Sequence, residues 1–453
     1  MEFAEKKFLV AGTGLSGIGA TKLLLHKGAD VILYDGNESL DSGKILGQFE
    51  DTSHISLVFG SLKKEQLQGV KAMIISPGIP CDAPFTELVK EQGIPIWSEI
   101  ELAWQAGKGN VLAITGTNGK TTTTALVGKI MKDYYESVFV VGNIGTPYTS
   151  VVEDTKDDSV IVAEISSFQL ETIKEFQPNV SAVLNVTPDH LNRHKTMEIY
   201  ADVKMSITKN QTKQQFCILN YDDPITREMA TKIPATPIFF SHTKELEEGV
   251  FLKEDTIYIK KDGIQQKVCK VDELKLLGIH NIENVMAGVG MAVWFGVPLS
   301  SVTSSVKEFQ AVEHRIEYVD TIDGVAYYND SKGTNPDAAI KGIQAMNRPT
   351  YLIGGGYDKG VLFDDWIKAF DGKVKELVLL GQTAKQIADT AKRYGFYNII
   401  FAKDLLEAVE YCSKKAKDGD AVLLSPACAS WGMFKNYEER GQMFKKYVKN
   451  LKE

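Results

Sequence analysis

Val111-Leu-Ala-Ile-Thr-Gly116-Thr-Asn-Gly-Lys120-Thr-Thr122 is an apolar run that ends in a glycine loop and opens onto a helical pattern. A short apolar segment closed by glycine reads as a buried strand, and the residues from Lys120 read as a helix. Glycines at such a junction let backbone N–H groups turn inward around phosphate oxygens, and the helix N-terminus adds about half a positive charge. Lys120 then bridges terminal phosphates, and the Thr121 hydroxyl ligates Mg²⁺. Gly116, Thr117, Asn118, Gly119, Lys120, Thr121 and Thr122 form the expected phosphate loop. It departs from the full eight-residue pattern, because Ile114 stands where the first glycine belongs. By itself the loop specifies ATP or GTP, no more.

Strand–helix alternation extends outward from this loop in both directions. Upstream strands are expected at Phe8 to Ala11, Val31 to Tyr34, Ala72 to Ile75 and Ile94 to Ile96. After the loop they are expected at Val138 to Val141, Val160 to Ala163, Ala182 to Val186 and Phe216 to Leu219. Short alternating segments around Asp262-Gly263 read as a β-hairpin insertion, and Asn281 to Trp294 as a helix. A third series follows at Val325 to Asn329, Thr350 to Ile353, Glu376 to Leu380, Asn398 to Phe401 and Ala421 to Ser425. The expected fold is α/β in three domains, each with a mainly parallel sheet flanked by helices. The N-terminal domain is Rossmann-like (1–98), the central one a P-loop domain (99–308), and the C-terminal one Rossmann-like (309–453). Ligands in such sheets collect beyond the carboxyl ends of the strands.

The 453 residues suit about three domains, and 43% hydrophobic with 24% charged residues is ordinary globular composition. A net charge of −8 argues against non-specific nucleic-acid binding, which needs concentrated Lys and Arg. Five scattered cysteines without a CxxC pair disfavour a disulfide framework or zinc site and suit a reducing cytosol. No apolar stretch nears the roughly 20 residues that span a bilayer. A cytoplasmic monomer acting on small molecules is expected, with neither nucleic acid nor membrane as partner.

Gly12-Thr-Gly-Leu-Ser-Gly17 also follows a strand, and Asp35 stands 18 residues after Gly17. That is the outline of a dinucleotide fingerprint with a ribose-binding acid. Its physics specifies only a diphosphate at a helix N-terminus and a carboxylate near a ribose or base, which a UDP moiety satisfies equally. Two nucleotide-type loops suit an enzyme that joins an ATP-activated group carried on a nucleotide handle.

With both loops placed, the chain resembles the Mur ligase family over essentially its whole length, and within it the D-glutamate-adding branch. The resemblance is carried by Gly116 to Thr122, Gly142-Asn-Ile-Gly145, Glu164-Ile-Ser-Ser-Phe-Gln-Leu-Glu171, Asn185-Val-Thr-Pro-Asp-His190 and Gly278-Ile-His-Asn-Ile-Glu-Asn284. His314-Arg315, Asn329-Asp-Ser-Lys-Gly-Thr-Asn335, and Ser425-Pro-Ala-Cys-Ala-Ser430 with Phe434-Lys-Asn-Tyr437 complete it. It implies activation of a carboxylate by ATP to an acyl phosphate, followed by attack of an amine. The substrates would be UDP-N-acetylmuramoyl-L-alanine, D-glutamate and ATP, in peptidoglycan precursor synthesis. Two Mg²⁺ sites are implied, from Thr121, Glu164, His190 and a carbamylated Lys204. Lys120, Lys204, His190 and Lys332 would be the catalytic set. Read from the residues alone, Lys204 is an ordinary helix lysine and His190 equally a capping or core histidine.

The same resemblance places Asn281, Asn284, Arg315 and Asp330 at ATP, although the two asparagines alone also read as helix caps. His314 has a less defined role in the segment. Residues of the third domain beside ATP imply a site at a domain interface and closure during catalysis. Gly14, Leu15, Ser16, Gly17, Asp35 and the Ser76-Pro77-Gly78 turn would hold the UDP end. Asn143, Gln169 and His190 would approach the sugar or its lactyl-alanyl arm. Lys359, Thr334, Ser430 and Tyr437 would clamp D-glutamate, with Tyr437 standing where phenylalanine is frequent. The Asp-Asn-Pro-Arg signature of diamino-acid-adding members is absent. A folylpolyglutamate-type or other Mur-type ligase with a different acceptor is the alternative; a dehydrogenase or nucleotide switch leaves the second loop or the third sheet unexplained.

Overall fold

The computed structural model describes residues 2–143, 145–310 and 312–452. Ile144 of the Gly142–Gly145 motif lies outside them. Three mainly parallel sheets are flanked by helices, in the order the strand–helix alternation implies.

The first sheet comprises β1 (Lys7–Ala11), β2 (Asp30–Asp35), β3 (Ile55–Phe59), β4 (Val70–Ile75) and β5 (Ile96–Ser98), in the order β3-β2-β1-β4-β5. Every pairing in it is parallel. The last strand starts at Ile96 rather than the expected Ile94, because Pro95 has no N–H and its carbonyl accepts from Met73.

The second sheet holds β6 (Asn110–Thr115), β7 (Val138–Gly142), β8 (Val160–Glu164), β9 (Val180–Val183), β10 (Phe216–Asn220), β11 (Thr236–Ser241), β12 (Gly249–Lys253), β13 (Thr256–Lys261) and β14 (Ile264–Lys270). Their order is β14-β13-β12-β11-β10-β9-β6-β8-β7. The expected hairpin is β13 and β14, and with β12 it prolongs this sheet rather than standing apart. Strand β9 stops at Val183, short of the expected Val186. From Leu184 the chain bonds the β6 side of the sheet and then the glycine loop.

The third sheet joins β15 (Glu317–Ile322), β16 (Val325–Asn329), β17 (Thr350–Gly354), β18 (Val374–Leu379), β19 (Ile399–Phe401) and β20 (Ala421–Leu424) in the order β15-β16-β20-β17-β18-β19. Only β15 runs antiparallel, against β16.

The chain divides into two compact units, one of residues Met1–Val271 and Glu283–Val306, the other of Asp272–Ile282 and Lys307–Glu453. The first unit contains two sheets because one apolar cluster runs through both, from Phe8 and Val10 through Trp97 and Ile100 to Val111 and Ala113. The helix Glu99–Ala106 reinforces it with two buried carboxylates. Glu99 accepts from the Thr149 N–H and hydroxyl, and Glu101 from the N–H groups of Lys174, Glu175 and Phe176.

Candidate functional site

In the first unit the glycine loop leaves β6 at its carboxyl end and opens the helix Lys120–Tyr134. Gly116 and Gly119 have φ of 152° and 85°, which only glycine adopts without strain. A Cβ on Gly119 would lie 2.2 Å from Asn284 Oδ1, so the helix Ile279–Phe295 packs directly on the loop. Asn284 Oδ1 also accepts from Thr123 Oγ1 at 3.3 Å. Asn281 is buried, and its amide donates to Leu277 O within the second unit. Thr121 is half-buried and Thr122 buried, both in the first turn of the loop's helix.

The loop is laced to the segment after β9. Thr117 N donates to Asn185 O and Asn118 N to Asn185 Oδ1, while the Thr187 N–H returns a bond to Thr117 Oγ1. Two amines reach the same carbonyl: Lys120 Nζ is 2.9 Å and Lys204 Nζ 2.8 Å from Gly116 O. Lys204 belongs to the helix Met197–Met205 and is only 1% exposed, with Nζ 4.5 Å from the Tyr200 ring. Burial, aided by the positive charge of Lys120, pushes its pKa down to about 6. It is a buried amine, not a solvated lysine.

Glu164 ends β8 and is 2% exposed. Its Oε1 accepts from Asn143 Nδ2 at 3.0 Å, and its Oε2 is buried without a hydrogen-bond partner. Gly142, at φ 106°, makes that approach possible, since a Cβ there would meet Glu164 O at 2.2 Å. His190 caps the short helix Leu191–His194 at φ 52° and is exposed, its ring 4.9 Å from Phe168. The Gln169 carbonyl oxygen is committed to a capping box with Ser166.

The N-terminal glycine motif divides its labour. A Cβ on Gly17 would lie 1.8 Å from Gly12 O, so Gly17 permits helix–strand contact; Gly14 faces open space. Leu15 is 79% exposed, and Ser16 is half-buried in the helix Leu15–His26. Asp35 accepts from the N–H and hydroxyl of Thr13, tying β2 to the loop. Ser76 Oγ is buried without a hydrogen-bond partner. The Ser76-Pro77-Gly78 turn meets Arg193, which donates to Pro77 O and Ile79 O while forking onto Glu171. Arg193 also lies 4.2 Å from the Phe168 ring, and buried His194 bonds Ser167 Oγ at 2.9 Å. Sequence reasoning did not single out Arg193 or His194. Their signal was position, immediately after the Asn185–His190 motif.

In the second unit Asp330 follows β16 and is buried, accepting from Ser425 Oγ at 2.7 Å and Ile316 N at 3.3 Å. Burial raises its pKa to about 7, against the pull of that hydroxyl and of Arg315. Lys332 is half-buried, with Nζ 5.5 Å from the Tyr437 ring. Arg315 is exposed, and buried His314 bonds Asn329 Nδ2 at 2.9 Å. Thr334 N bonds Lys332 O. Lys359 is exposed, 5.1 Å from the Trp431 ring, and Ser430 is buried. Loops after β16, β17 and β20 thus carry the acceptor candidates at adjacent strand ends.

Known proteins share this fold. Residues 6–98 match the Mur ligase MurD-like N-terminal domain, 114–292 the Mur ligase middle domain, and 314–428 the Mur ligase glutamate ligase domain. A protein of Lachnoclostridium phytofermentans named UDP-N-acetylmuramoylalanine–D-glutamate ligase is 55% identical, with 100% of both chains covered. Proteins of the same name from Lachnospira eligens and a Thermoanaerobacter species are 53% and 49% identical, again over 100% of both chains. Among solved structures, the MurF ligase of Thermotoga maritima in complex with ADP superposes with a TM-score of 0.59 at 18% identity, covering 99% of this chain and 96% of that one. The UDP-N-acetylmuramate–alanine ligase of the same organism gives 0.58 at 20%, covering 98% and 99%. Such likeness speaks for the fold.

Proposed function

The chain belongs to the Mur ligase family, and from that membership we propose that it joins D-glutamate to UDP-N-acetylmuramoyl-L-alanine at the expense of ATP. The observation that carries this reading is the pair of loops, a phosphate cradle at Gly116 to Thr122 and a separate glycine motif at Gly12 to Gly17. Full-length relatives bearing the D-glutamate ligase name support the acceptor.

In this reading residues 1–98 hold the UDP end, 99–308 hold ATP, and 309–453 hold the amino acid. Gly14 to Gly17 receive the diphosphate at a helix N-terminus. Asp35 and the Ser76–Gly78 turn face the nucleoside, and Asn143, Gln169 and His190 face the sugar and its arm. Backbone N–H groups of the Gly116 loop and the Lys120 ammonium hold the phosphates. Asn281, Asn284, Arg315 and Asp330 bind the rest of ATP. The substrate carboxylate attacks the γ-phosphorus, ADP leaves, and an acyl phosphate results. The D-glutamate amine then attacks the acyl carbon and phosphate leaves. Lys332 steadies the transferred phosphoryl group, while Lys359, Thr334, Ser430 and Tyr437 clamp the two acceptor carboxylates.

The residues present fit Mg²⁺. Glu164 Oε2, buried and without a hydrogen-bond partner, ends the strand paired with β6, which leads into the loop carrying the Thr121 hydroxyl, and hard oxygen donors are what Mg²⁺ selects. Thr121 and Glu164 would hold one ion, and His190 and a carbamylated Lys204 a second. Bound there, Mg²⁺ neutralises the phosphate charge that builds up. Lys204 suits carbamylation because burial lowers its pKa and the neutral amine is the form that adds CO₂, giving a carboxylate-like ligand.

One assay tests the reading. With ATP, Mg²⁺ and UDP-N-acetylmuramoyl-L-alanine supplied, phosphate release should depend on D-glutamate. Release without acceptor, or only with L-lysine, overturns it.

A further inference from the structure

Arg440 lies on the helix Tyr437–Asn450, far in sequence from the loops it touches, and is 2% exposed. Its Nε donates to Ser331 Oγ at 2.9 Å and its Nη2 to Ser331 O at 2.8 Å, while Nη1 donates to Cys428 O at 3.1 Å. Ser331 stands between Asp330 and Lys332 in the loop after β16. Cys428 stands two residues before Ser430 in the loop after β20. These strands are direct neighbours, Asn329 pairing with Leu424, so the two loops leave the sheet side by side. The guanidinium bridges them where the ladder ends.

The two loops also touch directly, Ser425 Oγ donating to Asp330 Oδ2 at 2.7 Å and Asp330 N to Leu424 O, and each has further anchors. On the β16 side, Lys332 N bonds His314 O, and Ser331 Oγ passes the contact on to Tyr437 O. On the β17 side, Gly355 N bonds Pro426 O and Tyr357 N bonds Ala429 O. Gly356 lets that contact close, since a Cβ there would meet Ala429 O at 2.4 Å. A buried guanidinium whose hydrogen bonds run to carbonyls and a hydroxyl costs more desolvation than an apolar side chain of its size. What it supplies is a rigid fork whose donors fix two acceptors at a set distance, which neither Lys nor Met can do.

We propose that Arg440 is a positioning residue that sets the separation of the Lys332 loop from the Ser430 loop, and thereby the placement of the incoming dicarboxylate amino acid relative to the phosphoryl end. The proposal rests on the acceptor-site reading given above. The test uses full-length Arg440→Met and Arg440→Lys, with Ser430→Ala and Lys359→Ala as controls for the acceptor site. KM for D-glutamate, KM for the UDP substrate, kcat and melting temperature are measured for each.

Both Arg440 variants should raise KM for D-glutamate by about tenfold or more, the scale of lost charge-assisted hydrogen bonds. KM for the UDP substrate should stay unchanged. A purely structural role would lower the melting temperature and the active fraction while leaving KM for D-glutamate alone, and that result overturns the proposal. If Arg440→Met does not fold, Arg440→Lys decides by the same criterion. Controls that raise this KM while the Arg440 variants do not leave the acceptor reading standing and remove the positioning role. If the controls too are silent, the acceptor reading falls and takes the proposal with it.

Discussion

At the scale of single residues, burial has changed the chemistry of side chains that look ordinary in a sequence. Lys204 is 1% exposed and shares the Gly116 carbonyl with Lys120. Its substitution should separate function from stability. Lys204→Met is expected to lower turnover at least about a hundredfold, yet raise the melting temperature, because it removes a buried amine that an apolar chain replaces without desolvation. Unchanged turnover in this variant would end the role proposed for Lys204. Asp330 offers a pH test. Its pKa is raised from 3.8 to about 7, so between those values the folded state binds the proton that the unfolded state has released. Its contribution to stability is therefore full below about pH 4 and is lost as pH rises through 7. Asp330→Asn should accordingly melt at a higher temperature than the parent at pH 8 and show little difference near pH 4. A difference that does not depend on pH would refute the assignment.

At the scale of elements, the glycine motif of the first sheet can be taken apart. Gly17→Ala places a Cβ 1.8 Å from Gly12 O and must force the helix Leu15–His26 off β1. A loss of about 3 kcal/mol or more in denaturant unfolding is expected. Gly14→Ala meets nothing within 4 Å at a φ of −78°, so its stability cost should stay within about 1 kcal/mol. Any loss in KM for the UDP substrate there would report on the diphosphate approach itself. Equal stability costs at the two positions would show that the motif's division of labour is wrong.

At the scale of the molecule, the first unit depends on a junction that no single element contains. Arg193 and Glu171, each 14% exposed, form a forked ion pair from which Arg193 also reaches the carbonyls of Pro77 and Ile79. Removing one partner strands a mostly buried charge. Arg193→Met should therefore cost about 3 kcal/mol, and adding Glu171→Leu should recover a good part of it. Additive losses in the double variant would mean the two residues act independently. Such a junction also explains why KM for the UDP substrate should rise in Arg193→Met, since the Ser76–Gly78 turn loses its tether.

The sequence by itself determined three mainly parallel sheets, most of their strands, and the place of both glycine loops. Those features rest on local signals: apolar runs of strand length, glycine at forced backbone angles, and a helix opening directly after. Strands with weaker local signals escaped it. Strand β3 is half-exposed along its length, β11 carries Pro237, and β15 has no buried position at an antiparallel edge. Only the tertiary structure decided which ordinary residues became special. Lys204, Arg193 and Arg440 are cations on helices or helix ends, indistinguishable from solvated ones until distant segments close over them. Desolvation and hydrogen-bond satisfaction depend on neighbours brought together across the fold, and no window of sequence contains those neighbours.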